Sequence, residues 1–424
     1  MRDSLRQFRS PARPLRALLL LLVLASCAAP RGEPAITPPQ QPQPAASPST
    51  IPEAAARAIA AVQAEYAPDR RVARVDVEGR SEDGVVVLAG ETTDPAAHAA
   101  LLAVLDGSGV AYRDEITVLP DPALGDAVWA LANNSVSNLR TTPGHSAELA
   151  TQALLGTPLR VLKRQGGFYL VQTPDRYLAW VDSDGIHRMA NADVAAHAVA
   201  PRLVYLRAAG TARAEPRDDA EPVADLVLGS LIEVVTPAAE GERFHRVRMP
   251  DGRPAWVGRD ETAFWDEWVR LLNATEAGLV RTARTLMGSP YLWGGTSAKG
   301  MDCSGFTKTV YFMNGIILPR DASQQVNAGA MVDDRGEFGH LRPGDLLFFG
   351  RPASGADPER VVHVGMWIGD GRFIHSSGRV RVNSMDPAAP DYDEYNRNRY
   401  LRTKRVLGSG TGVKLLKDGG LYTF

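Results

Sequence analysis

Apolar and polar positions follow three different rhythms along this chain. Residues 52–122 open with a helical apolar period in AARAIAAVQAEYA and pass to strand-like alternation in RVARVDVEG and GVVVLAGET. A helical period returns in DPAAHAALLAVLDGSG, between an Asp-Pro start and a Gly stop, and the strand VAYRDEITVL closes the segment. The order αββαβ predicts a small α+β domain. From about residue 125 to 265 short β-runs are broken by turn residues, as in SVSNLRTTP, YLAWVDSDGI and GSLIEVVTP. Strands this short and closely spaced predict two small β-barrels, at 123–199 and 200–268. Residues 269–424 start with the helix ATEAGLVRTARTLMG, carry a second helical stretch in CSGFTKTVYFM, and continue in the strand-like runs DLLFFG, VVHVGMWIG, RFIHSSG and VRVN. This last segment predicts α+β structure with an antiparallel sheet, so the fold class of the whole is multidomain α+β.

The two β-rich segments repeat one scheme. Asn138-Leu139-Arg140, Gly156 to Val161, Phe168 to Val171 and Trp180-Val181 match Tyr205-Leu206-Arg207, Gly229 to Val234, Phe244 to Val247 and Trp256-Val257. This looks like two bacterial SH3 modules in tandem, with Trp180 and Trp256 in their cores. The run VDVEGRSEDGVVVLAGETTDPAAHAALLAVL resembles the BON domain.

Composition changes the picture only near the N-terminus. Residues 28–51 are rich in Pro, Gln, Ala and Ser and read as a disordered tether. Before them, Arg2, Arg6, Arg9, Arg13 and Arg16 precede an apolar run from Ala17 to Ala25, the pattern of a signal peptide too short to span a bilayer as a mature helix. Leu24-Ala25-Ser26-Cys27 resembles a lipobox, which implies acylation of Cys27 and removal of the preceding residues. The alternative is plain secretion with cleavage after small residues. Ala28 behind that cysteine implies, by resemblance to diderm lipoproteins, an outer-membrane anchor with the body in the periplasm. A formal net charge of −2 offers no basic field for nucleic acid.

The chain has two cysteines, Cys27 and Cys303. With Cys27 lipidated, Cys303 has no disulfide partner, and a lone thiol in an exported protein is exposed to oxidation. It is either a buried structural thiol or a chemical group. Cys303 heads a stretch with Phe306, Val310 and Met313 on one side and Asp302 placed to cap it. Unpaired N–H groups and the helix dipole there favour thiolate, and the N–H groups of Cys303 and Ser304 could hold an oxyanion. A cysteine nucleophile needs a base. His363 in VVHVGMWIG is the candidate, with His375 in RFIHSSG as the group that orients it. By spacing alone the pair could equally be satisfied core histidines. A plain two-residue turn at Asp370-Gly371 would pair His375 with Met366, on the opposite face from His363. A three-residue loop or an equivalent bulge would pair it with Gly365, diagonal to His363 on one face, with the rings in hydrogen-bond reach and His363 nearer the sulfur. The second arrangement is the one predicted. No CxxC or HExxH spacing is present and no phosphate-binding pattern follows Gly294-Gly295, so neither metal nor cofactor is implied.

Several motifs then share one order: Pro290-Tyr291-Leu292-Trp293-Gly294-Gly295, Asp302-Cys303-Ser304-Gly305-Phe306, Leu318-Pro319-Arg320-Asp321-Ala322-Ser323-Gln324-Gln325, Pro343-Gly344-Asp345-Leu346, His363-Val364-Gly365 and Phe373-Ile374-His375. Together they resemble the NlpC/P60 cysteine peptidases, which implies a papain-like core over 269–424 with Cys303, His363 and His375 as catalytic residues. Behind SH3 modules, the Cys-His-His version resembles γ-D-glutamyl-L-diamino acid endopeptidases of murein stem peptides. That resemblance implies a preference for a free N-terminal L-alanine, whose amine would be held by Tyr291, Asp321, Glu148 and Tyr177, with Ser304 contacting substrate beside the nucleophile and Asp302 either a substrate contact there or only the helix cap. The rival readings are a non-catalytic wall-binding lipoprotein, and an amidase or endopeptidase acting on intact peptidoglycan. Oligomeric state is not legible.

Overall fold

The computed structural model describes residues 51–419. The leader, Cys27 and all of the expected tether but its last residue lie outside the described residues. Among the described residues no helix is long and apolar enough to cross a membrane.

Residues 53–118 have the expected element order. The helix Glu53–Tyr66 buries Ala55, Ala58, Ile59 and Val62, and the helix Pro95–Ser108 buries Ala97, Leu101 and Leu105. Asp94 starts the second helix by accepting a bond from the Ala96 N–H, which satisfies a donor the helix itself cannot reach. Both helices share a core with Val75, Val77, Val86 and Leu88 of a three-stranded sheet. In it Val75–Glu82 and Val85–Thr92 are antiparallel, and Tyr112–Val118 adds in parallel.

Two seven-stranded sheets follow. The first is built from Trp129–Ala132, Val136–Arg140, Leu149–Leu154, Pro158–Gln165, Phe168–Gln172, Leu178–Asp182 and Ile186–Met189. The second uses Arg202–Tyr205, Ala209–Arg213, Pro222–Val227, Leu231–Thr236, Phe244–Arg248, Pro254–Gly258 and Thr262–Phe264. Counted along the chain, the strands of both lie in the same spatial order: seventh, first, fourth, fifth, sixth, second, third. This common order corrects one part of the repeat. Asn138-Leu139-Arg140 belongs to a second strand, whereas Tyr205 ends a first strand, so the true counterpart is Thr211-Ala212-Arg213. The side chains agree: Arg140 Nη1 donates to the Ala147 carbonyl at 2.7 Å, and Arg213 Nη1 to the Ala220 carbonyl at 2.9 Å. The shared Leu-Arg dipeptide misaligned the strands, because two residues carry too little pattern to fix a register. Trp180 is buried as expected, but Trp256 is half-exposed in a surface cleft beside Phe244 and Arg243. Two helices absent from the pattern reading, Asn191–Val199 and Trp265–Leu271, join the second sheet to its neighbours.

The last segment is a six-stranded antiparallel sheet with helices on it. Its order is Ala330–Asp333, Tyr400–Arg405, Leu346–Arg351, Arg360–Gly369, Arg372–Ser377, Arg379–Ser384. The first two escaped the sequence reading, since YLRTKR holds too few apolar residues for alternation to show. The helix Cys303–Phe312 buries Phe306 and Val310 against Leu346, Phe348, Val364, Met366 and Ile374. Ahead of it, Thr275 caps the helix Glu276–Thr285 through the Gly278 N–H.

The hairpin bearing the two histidines combines both alternatives considered for it. Asp370 and Gly371 have φ of +52° and +71° and form a two-residue turn of the kind that matches strand twist. Yet Met366 pairs with Ile374 and Trp367 with Phe373, while Gly369 pairs with Arg372. Ile368 is therefore an extra residue, and this bulge restores the register that faces His375 toward Gly365.

Candidate active site

Cys303 is the first residue of its helix and is buried, and the Asp302 side chain caps that helix by accepting from the Gly305 N–H at 2.7 Å. The backbone N–H groups of Val364 and Ser304 act to lower the thiol's pKa. Val364 directly follows His363 and shares a buried core with Cys303, so the strand that carries the histidine packs beside the nucleophile's helix. One expectation is reversed here. Burial first, and then the Asp302 carboxylate, push the thiol up to about 12, and they outweigh those N–H groups and the nearby Arg320. At rest the group is a thiol, and its proton must leave during attack rather than before it.

The histidines form a directed chain. His363 Nε2 lies 2.8 Å from His375 Nδ1, and His375 Nε2 lies 3.0 Å from Asn383 Oδ1. Asn383 donates its Nδ2 to the Asp391 carbonyl at 3.0 Å, so its oxygen is the atom that faces the ring. An oxygen accepts, which makes His375 Nε2 a donor and leaves His375 Nδ1 an acceptor. His363 Nε2 must then carry the hydrogen, and His363 Nδ1 keeps a lone pair. Both rings are held neutral. Burial lowers His363 well below the usual histidine value, helped by His375, and burial lowers His375 to about 4 against the Asn383 bond. Gly365 lets the rings meet, because a Cβ there would come within 2.6 Å of the Phe373 ring and 3.3 Å of the His375 Cβ.

A cavity of about 480 Å³ opens over the sulfur. Its lining includes Tyr291, Asp302, Cys303, Ser304, Asp321, Glu148 and Tyr177, so tertiary structure gathers the nucleophile candidate and every proposed substrate-binding residue. Their states differ. Asp302 is committed to structure: Oδ1 accepts from Gly305 N–H, Ser304 Oγ at 3.1 Å and Arg320 Nη1 at 3.1 Å, while Oδ2 accepts from Gly294 N–H at 3.0 Å and Arg320 Nη2 at 2.6 Å. That corrects its expected role as a substrate contact, because five donors already use its lone pairs. Ser304 Oγ is likewise taken, donating to Asp302 and accepting from Arg320 Nη1 at 3.0 Å. Burial raises the Tyr291 phenol, which therefore stays protonated.

The first SH3-like sheet supplies the far wall. Glu148 accepts from Trp293 Nε1 at 2.6 Å, and Tyr177 donates its hydroxyl to Asp321 Oδ2 at 3.1 Å. Gly294 permits this approach: its φ is +78°, and a Cβ on it would sit 2.2 Å from the Leu149 carbonyl oxygen. Three residues of the site were missed by sequence reasoning. Arg320, buried, ties Asp302 and Ser304 to Thr151 Oγ1 of that sheet at 3.0 Å. Asn383 ends the histidine chain, and the polar Asn closing V-R-V-N was the available sign. Arg71 comes from the N-terminal domain, lines the cavity and donates to Asp321 Oδ2 at 2.8 Å; nothing local in sequence marked it. Among the described residues no cluster of three or more His, Cys, Asp or Glu could hold a metal ion.

Comparison with known proteins agrees with this geometry. The NlpC/P60 family matches residues 288–402, and the bacterial dipeptidyl-peptidase SH3 domain matches residues 139–186. A γ-D-glutamyl-L-lysine dipeptidyl-peptidase of Bacillus cereus is 39% identical over 160 residues, which are 37% of this chain and 46% of that one. A protein of the same name from Bacillus subtilis is matched over 39% of its length, so the chain spans less than half of each of these two relatives. Dipeptidyl-peptidase 6 of Lysinibacillus sphaericus is 26% identical over 61% of this chain and 92% of its own length. The crystal structure of a Bacillus cereus NlpC/P60 family protein superposes with a TM-score of 0.55 at 25% identity, over 66% of this chain and 99% of that one. The family match encloses Cys303, His363, His375 and Asn383, so the chain carries an NlpC/P60 domain at residues 288–402 behind a bacterial SH3 domain of the dipeptidyl-peptidase type at 139–186.

Proposed function

We propose that the protein is a cysteine peptidase that hydrolyses the bond between γ-D-glutamate and the diamino acid of murein stem peptides, with preference for a free N-terminal L-alanine. The observation that carries this reading is the directed chain Asn383–His375–His363, on a strand whose Val364 shares a core with the buried helix-head thiol lining a peptide-sized cavity. The Cys303 sulfur attacks the γ-carbonyl carbon as His363 Nδ1 takes its proton, and the Cys303 N–H receives the oxyanion. His363 then passes that proton to the leaving amine, a thioester forms, and water activated by the same imidazole releases the γ-glutamyl product. His375 and Asn383 hold the hydrogen on Nε2 throughout. Support for the peptide end comes from the relatives' printed activities and from Glu148, Asp321 and Tyr177 in the cavity lining, where carboxylates suit an ammonium.

The test is to incubate the protein with L-Ala-γ-D-Glu-diamino acid tripeptide, its N-acetyl form and whole sacculi, and to read the products by mass spectrometry. Release of L-Ala-γ-D-Glu is expected, fastest from the free tripeptide, and Cys303→Ala should reduce it to background with the far-UV spectrum unchanged. Turnover retained by that variant rejects the mechanism. Cleavage between muramic acid and alanine would make the enzyme an amidase.

The location follows as part of the same reading: an exported lipoprotein acylated at Cys27 and held at the outer membrane facing the periplasm. Cys27→Ala should move the protein from the membrane to the soluble fraction. The αββαβ order of 53–118 supports the resemblance to BON modules and suits an accessory domain.

A further inference from the structure

The segment after the first helix of the N-terminal domain is built into the cavity wall. Asp69 grips the Arg71 guanidinium at two points, Nε to Oδ1 and Nη2 to Oδ2, both 2.8 Å. The remaining nitrogen, Nη1, donates to Asp321 Oδ2 at 2.8 Å and Ser323 Oγ at 2.9 Å. Both neighbouring domains hold the segment in place. Leu178 N–H donates to the Arg71 carbonyl at 2.7 Å, Gln172 Nε2 to the Val72 carbonyl at 3.1 Å, and Gln324 Nε2 to Asp69 Oδ2 at 2.7 Å. A side chain fixed at both ends of its guanidinium, on a backbone bonded to a second domain, is a standing part of the site. Neither family match, at 139–186 or 288–402, reaches residue 71.

The consequence concerns charge. Asp321 faces the cavity sharing the Arg71 guanidinium with Asp69 and accepting the Tyr177 hydroxyl, so an arriving ammonium meets a carboxylate whose charge is partly offset. Glu148 differs, because its bond comes from an uncharged indole and its full negative charge remains. Of two carboxylates able to attract an amine, one has its charge partly offset from within the chain. A neutral amide N–H loses little by this, since it gains no Coulomb energy from a carboxylate charge that an ammonium would use.

We propose that Arg71 is a positioning residue that sets amine selectivity: through its pairing with Asp321 it weakens the preference for a free α-amine, so that N-acylated stem peptides are admitted beside free ones. This rests on the proposed function for the identity of the ligand. It predicts an enzyme less strict toward peptide N-termini than a cavity with both carboxylates unpaired.

The experiment reads binding, in the full-length Cys303→Ala chain, by titration calorimetry with L-Ala-γ-D-Glu and with N-acetyl-L-Ala-γ-D-Glu. Replacing Arg71 by Met, which keeps the aliphatic stem, is expected to tighten the free dipeptide about tenfold, as one unscreened charge pair near a surface allows. The acetylated dipeptide should change by less than about twofold, and Arg71→Lys should keep the parent's ratio. A merely structural Arg71 would weaken both ligands together in the Met variant. An unchanged ratio, a weaker free dipeptide, or no binding of either dipeptide to any of the three proteins overturns the inference. Failure of the functional reading shows elsewhere, as absence of tripeptide turnover by the protein with Cys303 intact.

Discussion

At the scale of single residues the site is a problem in proton bookkeeping, solved by one amide. Asn383 presents an oxygen, which orders the hydrogens along both imidazoles and leaves His363 Nδ1 with a lone pair, as the proposed base requires. Replacing Asn383 by Leu removes that direction while keeping bulk. Turnover should fall about tenfold or more with KM nearly unchanged, since the residue touches no substrate; a steady-state comparison with Asn383→Asp, which retains the acceptor, checks it. The same burial that keeps the rings neutral has a cost in acid. A histidine whose folded-state pKa lies below its unfolded value binds its proton more readily when unfolded. With His375 lowered to about 4 from an ordinary 6.5, its contribution is complete above about pH 6.5 and declines as pH falls toward 4. Over that window the loss is about 3 kcal/mol. Urea unfolding at pH 7 and pH 4 should show it, and His375→Asn, which has nothing to titrate, should flatten the dependence by that amount.

At the scale of elements the histidine hairpin is decided by one surplus residue. Ile368 stands out of the ladder between Trp367 and Gly369, and this offset turns a two-residue turn into the register that brings His375 onto the face of His363. Gly365, opposite, supplies the space. In a Gly365→Ala variant the new methyl would enter the buried Phe373 ring, within 2.6 Å of it, and crowd the His375 Cβ. Overpacking of that kind costs about 1–3 kcal/mol. Stability should drop by this amount and turnover should drop further, because the imidazoles are pushed apart; thermal unfolding beside an activity assay separates the two effects. How the hairpin lies was legible beforehand as a choice between registers, with the chemistry favouring one. Alternation cannot reveal a bulge, since a bulge is a local exception to alternation.

At the scale of the whole molecule three segments of chain far apart in sequence form one cavity. Arg320 is the main joint, buried between Asp302 and Ser304 on the nucleophile's helix and Thr151 of the SH3-like sheet. Arg320→Met would strand the Asp302 carboxylate in a buried position. Breaking a buried pair from one side costs about 3–5 kcal/mol, so guanidinium unfolding should register a loss of that size, smaller when Asp302→Asn is added.

What the local sequence determined is most of the elements and the candidate reacting pair. Thr275, Asp94 and Asp302 announce helix starts through side chains that cap their own backbone, and the periodicity of CSGFTKTVYFM and VVHVGMWIG shows which side of each faces the core. These depend on neighbours within a few positions, which a single sequence displays. Composition could not show that the thiol rests protonated, because burial is a property of the assembled fold. Nor could it show that Asp302 is spent on Arg320, or that Arg71 lies on Asp321 across 250 residues of chain. Pairing between charges so distant leaves no periodic trace; only when the chain has folded do distance and desolvation choose which carboxylate is matched and which one remains open to a ligand.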